Sequence, residues 1–231
     1  MRYTLIYILG LLISSTAYSQ TIMLDFGPLK QGCCESYSNS SYSLSELYVK
    51  PEKGLQLNLS VSDIQIKPIP IPLKFAVNLN SQEEFVSYYY SNIASGSTTE
   101  VDIKTLFLGL SFFPINLTLQ KRLMLSFGYR SNFLLRERFN GFEESWTEDY
   151  FNRDYINQHT SQLSIKHSVG AVFELSYKTK IKRDWRIIPK YTFYLGLTNV
   201  YNFTQKYRPI KHGLSLCFMY PMKSSIKTPN K

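Results

Sequence analysis

The chain has 231 residues, a formal charge of +9, 18 Tyr, 15 Phe and three Cys. That length without an internal repeat fits a single domain. Three cysteines, Cys33 and the adjacent Cys34 plus a distant Cys217, form no zinc spacing and a poor disulfide framework, and the basic residues form no tract of the kind a nucleic-acid module carries.

Residues 1–19 (MRYTLIYILGLLISSTAYS) read as a signal peptide. Arg2 supplies the positive start, residues 5–13 form an apolar run too short to span a bilayer, and Ala17 and Ser19 are the small residues before a cut at Gln20. The mature chain is therefore expected to be exported. Beyond the signal no apolar run approaches the ~18 residues of a spanning helix, so a membrane would be crossed by strands or touched from one side. For an exported basic chain the expected partners are outer-membrane lipid and lipopolysaccharide phosphates, not nucleic acid.

The rest of the chain alternates with a period of two, the signature of strands with one apolar face. Eight segments show it. Residues 21–27 align Ile22, Leu24 and Phe26; residues 54–62 align Leu55, Leu57, Leu59 and Val61. The third and fourth are 73–80 and 104–113, the fifth is 123–136 (LMLSFGYRSNFLLR), and the sixth is 163–177. The seventh, 185–198, contains KYTFYLGLTNV, in which Tyr191, Phe193, Leu195 and Leu197 share a face; the eighth is 211–220. The first strand is the least defined, with 42–50 as its alternative.

The connections alternate in length. Residues 63–72 carry three prolines and mark a turn, and 114–122 and 178–184 are short and partly basic. Residues 28–53, 81–103, 140–161 and 199–210 are long and polar. Short links at one end and long ones at the other are the pattern of an up-and-down outer-membrane barrel.

Alternation alone does not say whether the apolar face meets lipid or encloses a ligand, as in a secreted lipocalin-like carrier. The opposite face decides. It mixes glycine and serine with Lys74, Arg130, Arg136, Lys166, Glu174, Lys190 and Lys211, the contents of a narrow, side-chain-filled lumen. Lone buried charges are costly, so Glu174 is expected to pair with Arg130, Lys166 or Lys190. Tyr129, Tyr177, Trp185, Tyr191 and Tyr220 suit interfacial girdles. The predicted fold is thus an all-β, antiparallel transmembrane barrel of about eight strands over 20–220, with a polar tail at 221–231.

Several stretches carry a family likeness. FLGLSFFP at 107–114, RLMLSFGYRSNFLL at 122–135, HSVGAVFELSY at 167–177, YLGLTNV at 194–200 and HGLSLCFMY at 212–220 together resemble the PorT-like outer-membrane β-barrel domain family of Bacteroidetes-type Gram-negative bacteria. The GLTN element is the most specific of them. The resemblance implies a small monomeric barrel in the cell outer membrane. One departure is that Tyr220 is followed by PMKSSIKTPNK, whereas such barrels usually end on an aromatic residue.

His167 with Ser168, and His212 with Ser215, fall on opposite faces of their strands and form no nucleophile–base pair. His159 and Ser161 have the right i, i+2 spacing, with Glu143, Glu144 or Glu148 as an orienting acid, so a lipid-modifying acyl hydrolase is the enzymatic alternative. Glu143, Glu144, Glu148, Asp149 and Asp154 offer oxygen ligands for Ca²⁺ but lack the spaced pattern of a calcium loop. The expectation is a non-catalytic barrel with no cofactor and no metal, acting structurally, adhesively or as accessory to an envelope protein partner through its outward loops.

Overall fold

The computed structural model describes residues 21–32, 34–40, 43–64, 72–119, 122–156, 164–179, 186–201 and 207–221, with the backbone alone for 34–40 and 221. The predicted signal peptide, Cys33, Trp185, the His159–Ser161 pair and the tail beyond 221 lie outside these residues.

Ten strands form one antiparallel sheet: β1 Thr21–Gln31, β2 Cys34–Ser40, β3 Ser43–Ile64, β4 Leu73–Asn92, β5 Ser95–Leu119, β6 Leu123–Thr147, β7 Phe151–Ile156, β8 His167–Tyr177, β9 Arg186–Gly196 and β10 Ile210–Pro221. Pairing runs β10-β9-β8-β6-β5-β4-β3, and β1 pairs with both β10 and β3. The ring is closed, with β1 paired to β3 over Thr21–Pro28, so the cylinder has no free edge at that level. Residues 21–31 therefore supply the first wall strand, and 43–50 are the upper part of β3.

Alternation places the two faces as the sequence implied. Phe127, Leu195 and Leu216 are 44%, 39% and 56% exposed on the outer wall, whereas Arg130 and Lys190, at 3% each, are interior. In β9, Lys190, Thr192 and Tyr194 point inward while Tyr191, Phe193 and Leu195 point outward. An inward apolar face, as a lipocalin-like carrier requires, is not what the chain builds.

The strands are far longer than the predicted segments. β5 and β6 have 25 residues each, about 80 Å at ~3.3 Å per residue, against the 9–11 residues that cross a bilayer. Most of the stretches read as long polar links, 28–53, 81–103 and 140–161, are hairpin arms. β2 continues the wall beside the top of β3, and β7 folds back on β6, so a six-stranded sheet β2-β3-β4-β5-β6-β7 rises beyond the ring.

Bulges reset the faces along these arms. In β6, Arg136 pairs with Leu106 but Leu134 pairs with Phe107, which leaves Leu135 as an extra residue. Inward residues are even-numbered before it (Ser126, Arg130, Asn132) and odd-numbered after it (Phe139). Arg136, expected in the lumen, is therefore exposed. A second shift in β5 between Phe112 and Ile115 and a third in β3 between Pro51 and Lys53 do the same.

Above the ring, the inner face of the rising sheet is a dry core. Leu47, Val49, Val86, Val101, Ile103, Phe107 and Phe139 pack with Val200, Tyr201 and Tyr207 of the β9–β10 connection. These three residues pack over the mouth, and Tyr201 bridges to Ser164 through the backbone. The sheet is held by burial in the way any water-soluble sheet is.

Candidate functional site in the barrel interior

The lumen is built in layers by the inward residues of successive strands. Nearest the chain ends lies an apolar, sulfur-rich layer of Met23, Met124, Ile188, Cys217 and Met219. Next comes an ionic layer. Lys74 of β4 donates to Glu174 of β8, and Lys190 of β9 lies 2.5 Å from Asp25 of β1 and 3.3 Å from Glu174. Asp25 also accepts from Asn58 at 3.0 Å and Ser215 at 3.3 Å. Two cations and two carboxylates from four strands form one neutral cluster, which is how charges survive out of water.

Arg130 sits beside this cluster. Its Nε donates to Ser111 at 3.0 Å and its guanidinium lies 5.8 Å from the centre of the Tyr194 ring. Gly170 leaves the room that ring needs: a Cβ there would fall 2.4 Å from it. Ala76, Phe113, Val172 and Tyr194 fill the same level, and Asn132 donates to the Tyr194 hydroxyl at 3.0 Å. Above them Lys211 donates to Gln82 at 2.8 Å, Tyr201 donates to Glu84, and Gln31 donates to Tyr207. Glu84 lies on β4 beyond its apolar outer stretch; burial raises its carboxyl above the ordinary carboxylate range, with Lys211 and Tyr201 pulling the other way. Among the described residues these layers block the axis, leaving no wide aqueous passage.

The predicted site residues fall as follows. Glu174 does pair with Lys190, but Lys166 is exposed on the wall and Arg130 hydrogen-bonds Ser111. Lys74 is the second partner, and Asp25 completes the cluster. Asp25 was legible as facing away from Ile22, Leu24 and Phe26, yet its partner could not be read because Asp25 on β1 and Lys190 on β9 come from opposite ends of the chain. His167 is exposed and Ser168 buried, and His212 is exposed and Ser215 buried, so neither pair comes together.

Glu143 and Glu144 face Asp154 and Arg153 across the β6–β7 ladder, and Arg153 binds Glu144 at 3.3 Å. Among the described residues no group of three metal-ligating side chains forms. Cys217 is a buried free thiol. It pairs with Asp25, whereas Cys34 pairs with Val49, higher on the same side of the wall. Some nine residues of strand, on the order of 30 Å, separate them, so a Cys34–Cys217 bridge is out of reach.

A closed antiparallel cylinder with apolar side chains on its wall and charges in its lumen defines a class, the membrane-spanning β-barrel. No protein-family model matches the chain, and no curated protein matches it. Among solved structures, it is similar to Neisserial surface protein A, at 14% identity and a TM-score of 0.42, over 90% of this chain and 100% of that one. The outer membrane protein AlkL in lipid bilayers gives 14% and 0.36, over 94% and 96% of the two chains. OprG from Pseudomonas aeruginosa gives 10% and 0.36, over 89% and 97%. Similarities this weak carry no argument beyond themselves; the class rests on the ring closure and the two faces of the wall.

Proposed function

We propose that this chain is an integral protein of the cell outer membrane with a non-catalytic role, a filled barrel that anchors an outward β-sheet for recognition at the cell surface. The observation that carries the reading is the contrast along the wall. Around the ring the outer face is Leu, Phe and Ile, with Leu24, Leu57, Leu110, Phe127, Ile187 and Leu216 all well exposed. Along the rising sheet the outer face turns to charge, with Glu83 binding Lys104 at 3.0 Å. Lipid below and water above is the environment that suits this change.

The filled lumen speaks against bulk porin activity. The work then falls to the sheet, which carries Ile93, Tyr150 and Phe151 at its tips and Tyr155 along β7, all at 62% exposure or more. Exposed aromatics clustered on a rigid support are typical anchors for a macromolecular partner. The PorT-like affinity suggested by GLTN fits a barrel of this kind. Its residues have a local role here, since Thr198 Oγ1 accepts the Val169 N–H at 2.9 Å where β9 ends.

Fractionation tests the reading. The full chain is expected to stay in the outer-membrane pellet after a carbonate wash and to migrate faster on gels before boiling than after. In planar bilayers it is expected to give no porin-sized conductance steps. Recovery in the soluble fraction without detergent would overturn the assignment.

A further inference from the structure

We propose that a gap in the barrel wall between β1 and β3 holds the phosphate-bearing headgroup of a membrane lipid. This rests on the reading that the ring lies in a lipid bilayer. The β1–β3 ladder ends at Pro28–Leu55, with Leu29 still close against Gly54, and β3 is paired on that side again only where Cys34 of β2 meets Val49. Pro28 and Pro51 have no N–H to give, and the β3 bulge falls between Pro51 and Lys53, so the backbone itself opens the wall. The opening is a cavity of about 290 Å³. That is near the lower bound of about 300 Å³ for small-molecule sites, so it suits a headgroup and not a whole lipid.

Its lining passes from outside to inside. Lys30 and Lys53 lie exposed at the mouth, and neither has an ion-pair partner among the described residues. Deeper in are Gln31 and Gln82, 9% and 4% exposed, whose Oε1 and Nε2 respectively find no hydrogen-bond partner among the described residues. Two free ammonium groups and a buried amide N–H are donors for a phosphate. Three carboxylates also line the cavity: Glu83 is bound to Lys104 at 3.0 Å and Glu84 accepts from Tyr201, which leaves Glu52 at the bulge, with Gln31 Oε1, as acceptors for hydroxyls or an amine on the same headgroup. Directly below the mouth the wall carries Phe26 and Leu55, 56% and 50% exposed. A lipid seated here lays its acyl chains on that face, continuous with the rest of the apolar wall, while its phosphate meets the lysines.

The test uses the full mature chain in a neutral maltoside detergent, with bound lipid counted by native mass spectrometry. Phosphatidylethanolamine and lipid A are the phosphate-bearing probes, and a diacylglycerol of matched chains is the phosphate-free control. Retention of at least one phosphate-bearing lipid per barrel is expected, well above the diacylglycerol. Lys30→Gln with Lys53→Gln is expected to weaken it about thirtyfold, each lysine giving roughly fivefold. Both side chains are exposed, so the variant should keep its heat-shifted gel migration and its carbonate resistance. Equal retention of diacylglycerol, unchanged retention in the double variant, or full displacement by inorganic phosphate overturns the lipid site while leaving the outer-membrane reading intact. Loss of carbonate resistance in the unmutated chain fails that reading instead.

Discussion

Glu174→Ala should destabilise the barrel by about 3–5 kcal/mol, because it leaves Lys74 and Lys190 buried with only Asp25 to share. The energy at stake is mainly the desolvation of the stranded ammonium groups, and only secondarily the lost attraction. Replacing Lys74 by Met and Glu174 by Leu together should therefore cost less than Glu174→Ala alone, since the Lys190–Asp25 pair, 2.5 Å apart, remains neutral and intact. Urea titration of the barrel folded into phosphatidylcholine vesicles measures both. A loss below about 1 kcal/mol for Glu174→Ala would mean that water reaches the ionic layer and that the lumen is not sealed.

Leu216→Arg is the second large effect, and its size discriminates between environments. Leu216 is 56% exposed at the middle of β10. On a water-facing strand an exposed Leu exchanged for Arg changes stability by no more than about 0.5 kcal/mol. Facing acyl chains near the midplane, the same change costs about 2–4 kcal/mol. Ile93→Arg is the internal control: Ile93 is 81% exposed at the tip of the β4–β5 hairpin, beyond the apolar ring, and should change stability hardly at all. Equal small effects at both positions would remove the distinction between the ring and the rising sheet.

The ring was legible in the sequence wherever one face met oil. KYTFYLGLTNV keeps strict alternation through β9, and both its outward leucines and its inward Lys190 fell where the period put them. The rising sheet was missed for a physical reason. In STTEVDIKT at 97–105, Thr99, Val101 and Ile103 are buried while Glu100, Asp102 and Lys104 face water. The period of two continues there, but once the outer face leaves lipid the polar residues move outside and the apolar ones inside. A reading that follows the apolar face as the outer one loses the strand at that level and records a loop.

A bulge, a strand end and the stagger of the strands account for the other differences. One extra residue at Leu135 moved Arg136 from the expected lumen to the surface, and no local composition announces it. Lys166 precedes the first residue of β8 and is exposed, outside the alternation that places Ser168 and Gly170 inward. The ionic layer was half legible for a related reason. Which charges face inward follows from alternation, but which of them meet depends on how far each strand is staggered against its neighbours. Lys74 and Glu174 are 100 residues apart in the chain, and only the stagger around the closed ring brings them together.

The outward-facing apolar wall is tested most directly by quenching from within the bilayer. With Trp146 and Trp185 replaced by Phe, a single Trp is placed at Leu216 or Phe127 and the barrel is reconstituted with lipids brominated along their acyl chains. Strong quenching at both positions, with little effect of aqueous iodide, is the expected result. Quenching by iodide and not by brominated chains would place those side chains in water and contradict the account.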